Sequence, residues 1–273
     1  MSLILLKDDT FRQITDFIYE HSGIYLPAAK KYLVENRLQK VLEDNNYKGF
    51  EEFLYAVKFA PAGKESTRLF DAITTNETYF FREPMQFDVF IDHIVPRVLE
   101  DKKSIGDVKV WSAASSTGEE PFTVSMIMRE RRPNVRADIS GSDLSTKVLE
   151  SARTGVFSSY SIRNVPEAYM KKYFMQRGQD YLLSASVKAS VKFRNINLVD
   201  RRQMSEMRNV DVIFCRNVLI YFDEKAKQKV VSGLYDALRP GGFLIIGSSE
   251  SLHNVTRAFK PVTINKVVVY HKA

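Results

Sequence analysis

Residues 107–131 read "DVKVWSAASSTGEEPFTVSMIMRER", and this stretch decides the fold. "DVKVWSAA" reads as a strand and "GEEPFTVSMIMRER" as a helix. Between them lies a run of small residues that ends at Gly118. Small side chains let a ligand approach the backbone closely, and the amides at a helix start are available as donors. The alternation then continues toward the C-terminus. "VRADISGSD" is a strand and "STKVLESAR" a helix; "VDVIFCRN" is a strand, "DEKAKQKVVSGLYDALRP" a helix and "GGFLIIGSS" a strand. Strands that alternate with crossover helices imply a mostly parallel sheet covered on both faces. The tail "VTINKVVVYHK" alternates apolar and polar residues as an antiparallel edge does.

N-terminal to this region the period is helical. "DTFRQITDFIYEHSG" spaces Phe11, Ile14, Phe17 and Ile18 three and four residues apart and stops at Gly23, a C-terminal cap. "LPAAKKYLVENRLQKVLEDNN" opens with Pro27 in a first-turn position and carries Leu33, Val34, Leu38, Val41 and Leu42 on one face. Its other face carries Lys30, Lys31, Arg37 and Lys40. Two shorter helices, "GFEEFLYAVKFA" and "ESTRLFDAITTN", complete a helical domain over residues 1–73. A junction over residues 74–84, "TTNETYFFREP", mixes polar, aromatic and charged residues too closely for a solvent loop or a core strand. The second domain spans residues 85–273 and opens with one helix, "MQFDVFIDHIVPRVLED", in which His93 reads as structural or exposed. Residues 155–190 break the strand–helix rhythm and read as an inserted, basic, antiparallel subdomain.

Composition narrows the function. No apolar run approaches the roughly 18 residues of a membrane span, and the start "MSLILLKDDT" lacks the regions of a signal peptide. A single cysteine, Cys215, excludes an internal disulfide and fits a reducing compartment. It reads as a small buried hydrophobe, with no histidine near it in sequence. The four histidines are scattered, so no metal centre is expected. Net charge is +7 and unevenly spread: residues 1–75 hold 10 basic against 11 acidic residues, and residues 150–194 hold 8 against 3. A basic surface favours an anionic partner, whether nucleic acid or an acidic protein face.

In open parallel sheets, ligands bind beyond the carboxyl ends of the strands. "WSAASSTGEEP" has neither the three glycines of a dinucleotide fingerprint nor the Gly-Lys-Ser/Thr of a P-loop. Glu119 and Glu120 at the helix start would repel a phosphate and suit a cation, or else only cap the helix. S-adenosylmethionine, a nucleoside with positive charge and no phosphate, fits this description. Asp143, ending "SGSD", is placed to accept from ribose hydroxyls, though aspartate also caps helices well. Arg216 and Asn217 follow the apolar strand "VIFC", and Tyr221 is either a core aromatic or a polar tip in the site.

"TTNETYFFRE", "VWSAASSTGEEPFTVSM", "GSDLSTKVLESARTG", "INL", "FCRNVLIYFD" and "GGFLIIGSSESL" occur in that order. Together they resemble the CheR family of chemoreceptor glutamate methyltransferases, from about residue 10 to the C-terminus. The resemblance implies a small all-helical domain followed by a Rossmann-like class I methyltransferase domain with a small antiparallel β-subdomain inserted. It implies transfer of methyl from S-adenosylmethionine to glutamates on the cytoplasmic helices of chemoreceptors, giving methyl esters and S-adenosylhomocysteine. Cofactor contacts carry over to Asn76, Thr78, Arg82, one of Glu119 and Glu120, Asp143, Asn197, Leu198, Arg216 and Asn217. Arg82 and Tyr221 match the side chains nearest the transferred methyl, and Lys30, Lys31, Arg37 and Lys40 the receptor-facing basic helix. Some members hold a tether peptide of the receptor through a glycine-rich loop. "MQRGQDYLL" here is short with one glycine, so no tether is expected. The resemblance further implies a cytoplasmic, monomeric enzyme that uses no metal and binds no nucleic acid. Two other classes stay open: an RNA methyltransferase, suggested by Tyr160, Tyr169, Tyr173 and Phe174 near Arg163, Lys171 and Lys172, and a non-catalytic cofactor-binding module.

Overall fold

The computed structural model describes residues 4–102 and 106–273. Four helices form the N-terminal domain: α1 (Asp8–Ser22), α2 (Lys31–Asp44), α3 (Phe50–Phe59) and α4 (Lys64–Ile73). Their apolar stripes meet in one cluster, where Phe11, Ile14, Phe17 and Ile18 of α1 pack with Val34, Leu38 and Leu42 of α2 and Phe50, Phe53 and Val57 of α3. Gly23 caps α1 in the left-handed region, at φ 72°, and its N–H donates to the Tyr19 carbonyl at 2.8 Å.

The helix expected at the start of the second domain has three parts: α5 (Pro84–Val89), a π turn (Phe90–Ile94) and α6 (Val95–Lys102). The physical reason is Pro96, which has no N–H to donate and whose ring would meet the carbonyl one turn back; the wider π turn relieves both. His93 is exposed and shares a 3.0 Å hydrogen bond with Asn265.

The sheet domain then runs β1 (Asp107–Ala113), α7 (Glu119–Arg131), β2 (Arg136–Asp143) and α8 (Thr146–Thr154). The insert follows as β3 (Val156–Phe157), α9 (Ser159–Ile162), α10 (Glu167–Tyr173), β4 (Phe174–Arg177), β5 (Asp180–Leu183) and α11 (Ala185–Lys188). The chain returns through β6 (Val191–Asn195), α12 (Arg201–Met204), β7 (Val210–Cys215), α13 (Glu224–Ala237), β8 (Leu238–Ile246), β9 (Lys260–Ile264) and β10 (Val267–His271).

Seven strands form one sheet in the order β6-β2-β1-β7-β8-β10-β9. The five from β6 to β8 are parallel, and β10 is antiparallel to both of its neighbours. Within β7 the two-residue period sorts side chains between the faces: Val212 and Phe214 join one core, Ile213 and Cys215 the other. The one charged residue of β7, Asp211, is fully buried. It accepts from the Lys109 N–H at 2.7 Å and pairs with Lys102 at 3.0 Å and with Arg239.

The insert is an antiparallel three-stranded sheet, β3-β5-β4. Its aromatics are mostly committed to packing: Phe174 meets Phe80 at 5.1 Å between ring centres, Tyr169 meets Phe81 at 5.0 Å, and Tyr173 is buried.

The two domains are joined at several points. Ile24 bridges Phe222, the Tyr25 N–H donates to the Tyr221 carbonyl at 2.9 Å, and Tyr19 Oη donates to Asp223 at 2.8 Å. Asp71 of α4 accepts from Ser145 Oγ at 2.6 Å and from the Lys147 N–H at 3.2 Å, reaching the start of α8. A methyl group on Gly23 would lie 2.7 Å from Val199 Cγ1 of the other domain. Gly23→Ala therefore combines a left-handed φ, costing roughly 1–2 kcal/mol, with that collision. Scanning calorimetry should show a melting temperature lower by about 2–8 °C. An unchanged value would contradict the close approach.

Candidate active site

The chain leaves β1 toward β2 and β6 on one side, then crosses to β7 and β8 on the other. Strand order thus reverses between β1 and β7, and a crevice opens there above the carboxyl ends of the strands. The main pocket sits in it. Its floor comes from Ala114, Ser115 and Ser116 after β1, Asp143 at the end of β2, Ile196 and Asn197 after β6, and Arg216 and Asn217 after β7. Its other wall comes from the helical domain and the junction: Leu26, Lys30, Leu33, and the segment from Ile73 to Tyr79 with Arg82.

Several of these residues are held in backbone conformations that side chains rarely adopt. Ala114, Ser116 and Asn217 have φ of 62°, 48° and 55°, and Phe81 and Glu83, on either side of Arg82, both have 57°. Such strain persists only where the surroundings over-determine it. Around Arg82 they do. Phe80 and Phe81 are buried; the Phe80 N–H donates to the Ser161 carbonyl at 2.9 Å and the Phe81 N–H to Thr123 Oγ1 at 3.2 Å. The loop after β1 is tied down as well: the Ser116 N–H donates to Asp143 Oδ2 at 2.9 Å, and Ser116 Oγ to the Asn76 carbonyl at 3.1 Å.

Gly118 links that loop to α7 at φ 92°. A methyl there would lie under 3 Å from the rings of Phe122 and Phe193, so glycine is required for space as well as for conformation.

The two glutamates that follow part company. Glu120 lines the pocket, accepting from Ser112 Oγ at 2.7 Å and pairing with Arg216 at 3.0 Å. Burial pushes its carboxyl up, while the Arg216 guanidinium and Ser112 pull it back. Glu119 lies outside the pocket lining, 1% exposed, and accepts from Thr117 Oγ1 at 2.7 Å; burial pushes its carboxyl up too. Asp143 is raised by burial, with the Ser145 and Ser116 N–H groups opposing.

Arg216 is buried across the Phe87 ring, 5.3 Å from its centre, and also donates to the Arg82 carbonyl at 2.6 Å. Its Nε has no partner among the described residues. Burial raises the Cys215 thiol well above its usual range, as an inert core residue requires.

The pocket therefore brings together Asn76, Thr78, Arg82, Glu120, Asp143, Asn197, Leu198, Arg216, Asn217 and Tyr221, with Lys30 at its edge. The other basic residues of the second helix are placed elsewhere. Lys31 pairs with Asp8, Arg37 donates to the Ile73 and Thr74 carbonyls and at 3.0 Å to Thr75 Oγ1, and Lys40 is exposed.

One residue of the site carries no chemical signal in the sequence. Glu250, after β8, accepts from the N–H groups of Asn217 at 2.9 Å, Leu219 at 2.8 Å and Gly247 at 2.7 Å. Its carboxylate templates the loop that presents Arg216, Asn217 and Tyr221. Nothing in "GSSESL" marks it, because two of its three partners, Asn217 and Leu219, lie about thirty residues away.

A doubly wound sheet with this order, an antiparallel C-terminal hairpin and a pocket holding Glu120 and Asp143 at its switch point defines a class I methyltransferase domain. The chain matches the CheR methyltransferase SAM-binding domain over residues 76–268 and the CheR methyltransferase all-alpha domain over residues 9–74. It belongs to the CheR methyltransferase family. Chemotaxis protein methyltransferase 2 of Vibrio cholerae is 33% identical, over 100% of this chain and 96% of its own. The chemotaxis protein methyltransferase of Borreliella burgdorferi is 34% identical, over 92% and 91%. Among solved structures, the rRNA methyltransferase aviRa from Streptomyces viridochromogenes is similar over 73% of this chain and 87% of that one, at 13% identity and a TM-score of 0.44.

Glu250→Ala would leave three backbone N–H groups without their acceptor, at about 1–3 kcal/mol for each that stays dry. Calorimetry should show lower stability together with weaker binding of S-adenosylhomocysteine. Loss of stability with unchanged binding would contradict the templating role.

Proposed function

We propose that this chain is a protein-glutamate O-methyltransferase that esterifies glutamate side chains on the cytoplasmic helices of chemoreceptors, using S-adenosylmethionine. The observation that carries this reading is a separation of charge. On the inner wall Asp143 adds a carboxylate to the Glu120–Arg216 pair, whereas toward the solvent half-buried Arg82 and exposed Lys30 have no ion-pair partner among the described residues and outnumber the one carboxylate there, Glu77. A cationic cofactor suits the inner wall, and an anionic substrate suits the mouth.

The donor set fits the cofactor. Asp143 would accept from a ribose diol, Glu120 from an ammonium group, and Arg216 Nε, without a partner among the described residues, would support a carboxylate beside it. Leu198, Leu144 and Ile196 offer apolar surface for a base. Asn76, Thr78, Asn197 and Asn217 supply the remaining polar contacts. Bound there, S-adenosylmethionine supplies an electrophilic methyl on a sulfonium sulfur.

The protein's own task is positional. A glutamate has an ordinary pKa near 4.3, so the nucleophile arrives ionised and no general base is needed. Holding the reacting groups in line can supply roughly 7–11 kcal/mol of the barrier in favourable cases. Arg82, held by its donation to the Glu77 carbonyl at 3.1 Å, orients the incoming carboxylate, and Tyr221 lines the same pocket. Strong ligation of that carboxylate would oppose reaction, because the reactants' opposite charges cancel in the transition state. Arg82 therefore orients more than it stabilises. Arg82→Ala should lower turnover by about a hundredfold or more, with a much smaller change in cofactor affinity. Tyr221→Phe should cost less. Initial rates at saturating cofactor check both, and equal losses in turnover and cofactor binding would refute the orienting role.

Only an ionised Glu120 neutralises the ligand's ammonium group, which S-adenosylhomocysteine shares with S-adenosylmethionine. Its pKa is raised by burial, so affinity for S-adenosylhomocysteine should be full above that pKa and fall as pH drops through it, beginning above the ordinary carboxylate range. Glu120→Gln should weaken binding at neutral pH and remove most of the slope, with Asp143 supplying the remainder. A flat profile for the unaltered protein between neutral and mildly acidic pH would contradict the assignment.

The enzyme acts in the cytoplasm as a monomer, without nucleic acid and without a receptor tether. Support for the last point is the Gly178–Gln179 turn between β4 and β5, too short to form an open loop. Titration with receptor C-terminal peptides tests it, and micromolar affinity would sink it. The whole reading is tested by transfer of labelled methyl to membranes that contain candidate chemoreceptors. Base-labile label on the receptor is expected; base-stable label, or label on RNA, would overturn it.

A further inference from the structure

The pocket mouth carries a stack that no part of the proposed chemistry uses. The guanidinium of Arg163, just past α9 in the insert, lies 3.6 Å from the ring centre of Tyr79 and 3.7 Å from that of Tyr160. The guanidinium of Arg82 lies 5.6 Å from the same Tyr79 ring. Tyr160 Oη donates to Glu77 Oε1 at 2.9 Å, which ties the stack to the junction. Tyr79, Glu77 and Arg82 line the pocket, so the stack continues its rim outward.

Arg163 is exposed, and it donates to the Tyr160 carbonyl. No carboxylate pairs with it or with Arg82 among the described residues. Two like charges thus share one ring, and the carboxylate of the stack, Glu77, is held by Tyr160 Oη rather than paired with either guanidinium. A guanidinium stacked against two aromatic rings has its orientation fixed and, beyond the N–H given to the Tyr160 carbonyl, keeps further N–H groups to donate. That is the arrangement that takes a planar carboxylate with little ordering cost.

We propose that Arg163 is a substrate-specificity residue: it binds a second carboxylate of the acidic helix whose glutamate is presented to Arg82. This rests on the function proposed above and deepens it by making the insert part of the substrate-docking surface. Side chains three or four residues apart on a helix have their Cβ atoms about 5–6 Å apart, within reach of two guanidiniums that share a ring. The enzyme then favours glutamates with an acidic neighbour one helical turn away. Stacking of RNA bases is disfavoured at this place, because guanidiniums already cover the ring faces that bases would need.

The test uses the full chain and the cytoplasmic fragment of a chemoreceptor from the same organism. Arg163→Gln should raise KM for the fragment about three- to tenfold and flatten its dependence on salt. The Kd for S-adenosylhomocysteine should stay within about twofold. Arg163→Lys, which keeps the charge and loses the fork, should recover the salt dependence and only part of the affinity. A fragment in which acidic residues one turn from the methylated glutamate are changed to Gln should bind the unaltered enzyme and Arg163→Gln equally. An unchanged KM overturns the inference, as does a cofactor Kd that moves as far as KM, which would make the stack a scaffold. Competition by single-stranded RNA that is lost in Arg163→Gln would overturn it in favour of nucleic acid. If the unaltered enzyme puts no base-labile methyl on any receptor fragment, the function proposed above falls and the inference with it. If it does and Arg163→Gln behaves identically, the inference alone falls.

Discussion

The burial of Phe80 and Phe81 is the constraint on which the site depends. Both rings sink into the core between the large sheet and the insert, and both N–H groups are fixed, to the Ser161 carbonyl and to Thr123 Oγ1. With those anchors in place the backbone turns through two left-handed residues, Phe81 and Glu83, and Arg82 between them is delivered to the pocket. Ordinary side chains there cost of order 1–3 kcal/mol each, which two buried aromatics readily offset. The segment that joins the domains is thus also a wall of the pocket, so the helical domain cannot shift without moving Asn76, Thr78 and Arg82.

The second organising feature is electrostatic. Burial of Glu120 and Asp143 raises their carboxyl pKa values, a cost that opposite charge nearby relieves. Arg216 relieves part of it for Glu120, and a cationic ligand would relieve more. At the mouth, half-buried Arg82 and exposed Lys30 face the solvent. An enzyme that brings a carboxylate to a sulfonium needs little acid–base machinery, and a polarity of this kind is most of what its pocket must provide.

Much of this was legible from residue patterns. The alternation of strand and helix after residue 107 predicted the parallel sheet, Gly23 predicted a helix cap, and Cys215 was read as core. The misses have physical causes. β6, "VKFRN", lies at the sheet edge with polar residues on its solvent face, so it has the composition of a loop. The tail looked like one alternating edge, but Asn265 and Lys266 both take positive φ and fold it into a hairpin. The aromatics of "TYFF" looked alike, yet Phe80 and Phe81 turn inward while Tyr79 faces an arginine. Glu250 and Asp71 act on N–H groups distant in sequence, and only tertiary structure shows such partners. Lys31 and Arg37 looked like a free basic face, but a neighbouring aspartate and the junction carbonyls already occupy them.

The central claim is that the stretch from residue 74 to residue 84 is both the seam between the domains and a wall of the cofactor pocket. Amide hydrogen exchange with and without S-adenosylhomocysteine tests it most directly. Exchange in this stretch should slow by about tenfold or more on binding, together with the loops after β1 and β7, while α3 on the far side of the helical domain is unaffected. Protection confined to the sheet loops, with residues 74–84 unchanged, would contradict it.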